Sequence, residues 1–241
     1  MDNYNTLQFR KDIEALGINL SEKQIEQFLI YLEMLVEWNQ VMNLTAITEY
    51  EEVMKKHFLD SITLIKAYDI TRKSTVIDVG CGAGFPGLAL KIAYPELQVT
   101  LLDSLNKRIQ FLNAVIEKLG LEGVTTIHGR AEDYAKPGQL RENFDLAVSR
   151  AVANLSTLSE YCLPFVKVGG YFIPYKSEKV ADEIVGAKKA LSLLGGQLVD
   201  QIEFTLPDTD YYRNLVKIKK IKATPGKFPR KAGLPAKEPI Q

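Results

Sequence analysis

Val76-Ile-Asp-Val-Gly-Cys-Gly-Ala-Gly-Phe-Pro-Gly87 carries the strongest structural signal in the chain. A short β-branched run, Thr75–Val79, leads through Asp78 into Gly80, Gly82 and Gly84, and a helix is expected just beyond Pro86. Glycines permit a tight strand-to-helix turn and let a ligand press against bare backbone. Proline suits a first helical position because its missing amide proton would be unpaired there anyway. A Gly-x-Gly pattern alone is weak, but the next apolar run, Leu97–Leu102, ends in Asp103, 23 residues after Gly80. An acid at that spacing stands at the tip of the second strand, where it accepts from ribose hydroxyls; the alternative is that it only caps a helix opening at Asn106. The ligand is therefore nucleotide-like.

Outward from this loop the chain alternates strand and helix. Leu88–Ala93 reads as helix, Asn106–Leu119 as helix, Val124–His128 and Phe144–Ser149 as strands, and Leu155–Phe165 as a helix before the strand Tyr171–Pro174. Strands separated by helices imply βαβ units and a mostly parallel, doubly wound sheet. Gln197–Thr205 and Asn214–Ile221 alternate with no obvious helix between them, which suits an antiparallel hairpin on one sheet edge. The first seventy residues read as helical instead. Leu7, Ile13 and Leu16 begin an apolar stripe, and Ser21-Glu-Lys-Gln24 is a capping box before Ile25, Phe28, Leu29, Leu32, Leu35 and Val36. A second box, Thr48-Glu-Tyr-Glu51, opens a helix with Val53, Met54, Phe58, Ile62 and Ile65, and Trp38–Thr45 forms a connection between the two. The expected organisation is a helical extension (1–70), an α/β domain (71–222) and a C-terminal arm (223–241).

Length and composition agree. The 241 residues, 46% hydrophobic and 25% charged, can bury a core without disulfides. Neither a signal sequence nor a membrane-length apolar run is visible, and Cys81 and Cys162 lie far apart, so a reducing, cytoplasmic setting is expected. The net charge of zero hides an asymmetry: nine basic residues and one acid between Tyr211 and Gln241 give that segment +8. Such a concentration suggests nucleic acid, a solvated tail being the plainer alternative.

Gly-x-Gly-x-Gly preceded by Asp78 departs from the dinucleotide pattern. An acid beside the loop opposes a pyrophosphate and suits an ammonium or sulfonium group. The combination resembles the first motif of class I S-adenosylmethionine-dependent methyltransferases. The segment after the fourth strand, Phe144-Asp-Leu-Ala-Val-Ser-Arg-Ala-Val-Ala153, lacks the Pro-Pro-aromatic loop used on exocyclic amines. Cys81 and Cys162 read as packing residues, not nucleophiles. With only His57 and His128 as histidines, no metal site is expected. An acceptor that is already nucleophilic, such as guanine N7, needs positioning rather than a base.

Across nearly the whole chain the motifs resemble the bacterial 16S ribosomal RNA (guanine-N7) methyltransferase family, also called glucose-inhibited division protein B. They are Trp38-Asn39, Asn43-Leu-Thr-Ala-Ile47, His57, Asp60-Ser61, the glycine loop, Asp103-Ser104, Lys107-Arg108, Gly129-Arg-Ala-Glu132, Ser149-Arg-Ala151 and Phe228-Pro-Arg-Lys-Ala-Gly-Leu-Pro235. Cys81 stands where many relatives have Ser or Thr. The resemblance implies a class I Rossmann-like fold and methyl transfer to guanosine 527 of 16S RNA, or of the small subunit. The cofactor would be held by Asp78, Gly80, Gly82, Gly84, Phe85, Asp103, Ser104, Ala131, Glu132 and Arg150. Glu132 or nearby backbone would meet the adenine edge, while Arg150 would orient cofactor or acceptor unless it pairs with Glu132 or Asp133. Candidate RNA contacts are Arg10, Lys11, Lys107, Arg108, Arg130, Lys227, Arg230 and Lys231, with Phe85 or Phe228 as stacking platforms. Trp38, Asn39 and Asn43 suit a locked turn, with RNA contact as the alternative, and His57 suits packing. No protein partner is implied and a monomer is expected. The rival readings are a small-molecule N- or O-methyltransferase and a non-catalytic RNA-binding assembly factor.

Overall fold

The computed structural model describes residues 4–70, 73–177 and 180–241. The alternating strands are β1 (Thr75–Val79), β2 (Gln98–Asp103), β3 (Val124–His128), β4 (Phe144–Arg150), β5 (Val166–Lys176), β6 (Gly196–Thr205) and β7 (Tyr212–Lys220). They form one sheet in the order β3-β2-β1-β4-β5-β7-β6, parallel through β5 and antiparallel across β7 and β6. The period of two separates two cores: Val76, Leu101 and Val148 face one layer, Ile77, Leu102 and Ala147 the other. The order reverses between β1 and β4, which opens a crevice at their carboxyl ends.

The first layer begins with α1 (Leu7–Ala15) and α2 (Glu22–Met42). The Ser21 box forms as expected, with Gln24 N donating to Ser21 Oγ. In α1 the buried apolar residues are Phe9 and Ile13, whereas Leu7 is exposed. Helix α2 closes the sheet's own helices: Gln24 donates to the carbonyls of Ile92 and Ala93 at the end of α5 (Gly87–Ala93), and Gln27 to that of Leu119 at the end of α6 (Asn106–Leu119). These are carbonyls that a helix cannot satisfy internally. Trp38 lies inside α2 and packs on Phe111, so the connection starts only at Asn43, which adopts a left-handed φ of 51°.

The Thr48 box does not form. Helix α3 (Tyr50–Val53) starts from Glu49 without a side-chain cap, held instead by Tyr50 stacking on Tyr4 and donating to Asn5 O. It runs without a break through a π-helical stretch (Met54–Leu59) into α4 (Asp60–Ile62) and a 3-10 turn (Thr63–Lys66). Pro86 occupies the N-cap of α5 rather than its first turn.

The second layer holds α7 (Ala131–Tyr134), α8 (Leu155–Cys162) and α9 (Val180–Leu194). Helix α9 is absent from the sequence reading, although Val180, Ile184, Ala187, Leu191 and Leu194 recur at helical spacing and are buried. The C-terminal arm is docked. Arg141 donates to the carbonyls of Thr224 and Phe228, buried Glu160 pairs with Arg230 at 2.7 Å, and Thr157 donates to Pro235 O inside the short α10 (Leu234–Lys237). Lys220 is also internal, bonded to Leu163 O and Thr224 Oγ1, and burial pushes its ammonium down to about 8. Part of the basic charge therefore ties the arm down.

Candidate functional site

The β1–α5 turn forms the floor of a cleft of about 940 Å³. Gly80, Gly82 and Gly84 all take positive φ, of 73°, 59° and 98°. Their surroundings differ. A Cβ on Gly82 would meet nothing within 4 Å; one on Gly80 would strike Val152 at 2.6 Å; one on Gly84 would strike the Tyr31 hydroxyl and Leu112. Gly82 thus leaves backbone open to the cleft, whereas Gly84 lets α2 and α6 pack against the loop. Asp103 at the tip of β2 accepts from Gly82 N and from Leu105 N, both at 2.9 Å, and pairs with Arg108 at 3.2 Å. It braces the loop and fixes the turn that leads into α6, whose first-turn amides it does not cap.

Asp78 lies beneath this loop, wholly buried. Its Oδ2 accepts from Gly87 N at 2.7 Å, and among the described residues its Oδ1 has no hydrogen-bond partner. Burial raises its carboxyl to about 7, a rise that the Gly87 bond and the Arg150 charge only partly oppose. Its proton is thus kept in the folded chain well above 3.8, the ordinary value, where the unfolded chain has already lost it. Stability from this group is full below about 3.8 and falls as pH rises through 7. Relative to Asp78→Asn, the wild-type chain should lose about 3 kcal/mol between pH 5 and pH 8. Urea denaturation of both proteins at the two pH values measures this, and a pH-independent difference would contradict it.

The opposite wall comes from the helical extension. Asp60, buried to 3% exposure, accepts from Arg150 Nη1 and Arg213 Nε, both at 2.8 Å. One carboxylate therefore ties α4 to the ends of β4 and β7. His57, in the π-helical stretch, stacks on Phe85 with ring centres 4.5 Å apart. Its Nε2 lies 2.8 Å from Thr45 Oγ1, and Arg150 Nη2 lies 3.5 Å from its Nδ1. Burial, then the Arg150 charge, lowers its pKa to about 4. The imidazole is neutral at physiological pH. At the far end Lys176 bridges Ala153 O and Glu183, beside Ala151 in a left-handed φ of 58°. The thiol of Cys81 is buried in the floor, and burial raises it well above its ordinary range, which suits packing.

Residues 24–210 match the family described as rRNA small subunit methyltransferase G. The chain belongs to this family. It is similar to the ribosomal RNA small subunit methyltransferase G of Lachnoclostridium phytofermentans, at 56% identity over 232 residues and 96% of either chain. It is also similar to that of an Exiguobacterium species, at 54% identity over 98% of this chain and 99% of the other. A solved SAM-dependent methyltransferase from Aquifex aeolicus superposes with a TM-score of 0.54 at 18% identity, covering 73% of this chain and 96% of that one. This likeness carries the fold alone: the class I Rossmann-like architecture that the glycine loop suggests.

Of the residues expected to hold a cofactor in this family member, Gly80, Gly82, Phe85, Asp103, Ser104 and Arg150 line the cleft together. Asp78 and Gly84 lie beneath it. Ala131 and Glu132 are buried outside its lining, and Glu132 Oε1 accepts from Gly233 N at 2.8 Å, so that oxygen is engaged by the docked arm. The alternative for Arg150, an ion pair with Glu132 or Asp133, does not form: its carboxylate partner is Asp60.

Among the RNA candidates, Lys11, Lys107, Arg130, Lys227 and Lys231 are exposed and Arg108 lines the cleft. Arg10 pairs with Glu22 through two bonds of 2.7 Å, Lys107 donates to Met42 O, and Arg230 is engaged by Glu160. Phe228 is buried and cannot stack on a base, and the Phe85 ring already carries His57 and Tyr31. Asn39 accepts from Leu44 N and Thr45 N, which is the locked-turn reading. Asp60 and Thr45 carry no role in the sequence reading. Besides its place in the Asp60-Ser61 motif, Asp60 is signalled as a lone acid within Phe58-Leu-Asp-Ser-Ile62, where a buried carboxylate demands a cation.

Proposed function

We propose that the protein transfers a methyl group from S-adenosylmethionine to N7 of guanosine 527 in 16S ribosomal RNA, in line and without a general base. The observation that carries this reading is the glycine-loop cleft, closed by Arg150 and a neutral His57, in a chain that aligns over nearly its whole length with ribosomal RNA small subunit methyltransferase G. The residues present suit the cofactor: Gly82 leaves its backbone open to the cleft, and Asp103, braced against it at the tip of β2, would meet the ribose. Gly80, Gly82, Phe85, Asp103 and Ser104 would hold it, with the backbone at Ala131 and Glu132 near the adenine. S-adenosylmethionine, when bound, supplies an electrophilic methyl group on a sulfonium.

Guanine N7 carries a lone pair and no proton, so the side chains need only hold the acceptor in line at roughly 3–3.5 Å. Arg150, fixed by Asp60, orients the reactants at the mouth of β4. Exposed Lys11, Arg130, Lys227 and Lys231 would meet phosphates, which give affinity rather than sequence choice. The test is incubation with methyl-labelled cofactor and small subunits lacking this modification, followed by mass-spectrometric mapping. Label as 7-methylguanine at one site is expected; label elsewhere, or none despite cofactor binding, would overturn the reading. Lys227→Glu with Lys231→Glu should flatten the salt dependence of RNA binding by up to about 0.7 log units for each phosphate no longer neutralised, measured by filter binding across salt. An unchanged slope removes the arm from the RNA surface.

A further inference from the structure

The geometry points to Thr45 as the residue that selects guanine over adenine, its hydroxyl donating to the purine O6 next to the reacting N7. This rests on the functional reading above and deepens it.

A threonine hydroxyl has two lone pairs and one proton. Asn39 Oδ1 holds the amides of Leu44 and Thr45 at 2.6 and 2.9 Å, so the backbone that presents Thr45 to the cleft is fixed. Ile47 N donates to Thr45 Oγ1 at 3.0 Å and fills one lone pair. The second neighbour is His57 Nε2 at 2.8 Å, and its direction depends on the tautomer. Arg150 Nη2 faces the other ring nitrogen, Nδ1, at 3.5 Å. A guanidinium only donates, and its charge disfavours a proton on the nitrogen it faces. The carbonyl of Lys56, a backbone acceptor beside the ring, takes Arg150 Nη1 at 3.2 Å. With Nη2 on Nδ1, Nδ1 accepts, Nε2 carries the hydrogen, and Nε2–H donates to Thr45 Oγ1. Both lone pairs are filled. Among the described residues no acceptor takes the remaining O–H, and the cleft is where it is free to point.

The purine edge that carries N7 presents O6, an acceptor, in guanine and an amino group, a donor, in adenine. A hydroxyl reduced to donating matches the first and opposes the second. The burial that keeps His57 neutral also keeps this relay in one protonation state.

The test compares kcat/KM on subunits reconstituted with 16S RNA carrying either guanine or 2-aminopurine at the target. 2-Aminopurine keeps N7 and the 2-amino group but has only hydrogen at C6. The wild-type protein should prefer guanine by about tenfold or more, the value of one hydrogen bond, measured as 7-methylation. Thr45→Val should bring that preference to within about twofold of unity, and Thr45→Ser should retain it. An equal loss on both substrates in Thr45→Val, which a merely structural role would give, overturns the inference. So does a wild-type protein that does not distinguish the two bases, a measurement that holds even if Thr45→Val fails to fold. Absence of N7 methylation on the guanine substrate would instead sink the functional reading itself.

Discussion

Asp60→Ala is expected to destabilise the protein by about 3–5 kcal/mol, because it strands two guanidinium groups that share one buried carboxylate. Arg150 and Arg213 keep side-chain exposures of only 14% and 21%, so water from the cleft replaces the missing partner only in part. Against a total of about 5–15 kcal/mol, such a loss approaches unfolding. Asp60→Asn keeps one acceptor oxygen and should cost less. Urea denaturation at neutral pH reads both, and a loss under about 1 kcal/mol in Asp60→Ala would mean that the arginines are paired elsewhere. The same substitution releases Arg150 from its fixed position, so cofactor affinity should fall even at temperatures where the chain stays folded.

The glycine loop supplies the second large effect, and it separates folding from binding. Gly84→Val would drive a side chain into Tyr31 and Leu112 at a φ of 98°, combining overpacking with backbone strain, and should cost about 3–5 kcal/mol. At Gly82 an added Cβ meets nothing within 4 Å. At a φ of 59° Gly82→Val should cost only about 1–2 kcal/mol of stability. Its side chain would stand in the cleft, and binding of S-adenosylmethionine should fall by at least about a hundredfold by calorimetry, since close approach to bare backbone is no longer possible. A folded Gly82→Val protein with normal affinity would remove this loop from the cofactor site.

Legibility follows the range of the interactions. The glycine loop, Asp103, the strands β1 and β3 and helix α6 are readable because turn chemistry, β-branching and apolar period act between near neighbours. The antiparallel edge is readable for the same reason. Helix α9 escapes notice although its period is present, because its apolar residues lie within a Lys- and Gly-containing segment that lacks a strong cap signal. The second capping box fails because Tyr50 finds better partners in Tyr4 and Asn5, far off in sequence.

The sheet, the loop and the kind of ligand are therefore written in the chain itself, since each rests on residues a few positions apart. Which side chains complete the cleft is settled only when distant segments meet. Asp60 reaches Arg150 and Arg213 across 90 and 153 residues, and Arg230, a candidate for RNA contact on sequence alone, is taken by Glu160, which lies 70 residues back, buried and in need of a cation. A buried charge chooses its counterion by proximity in space, and no local pattern in the chain encodes that choice.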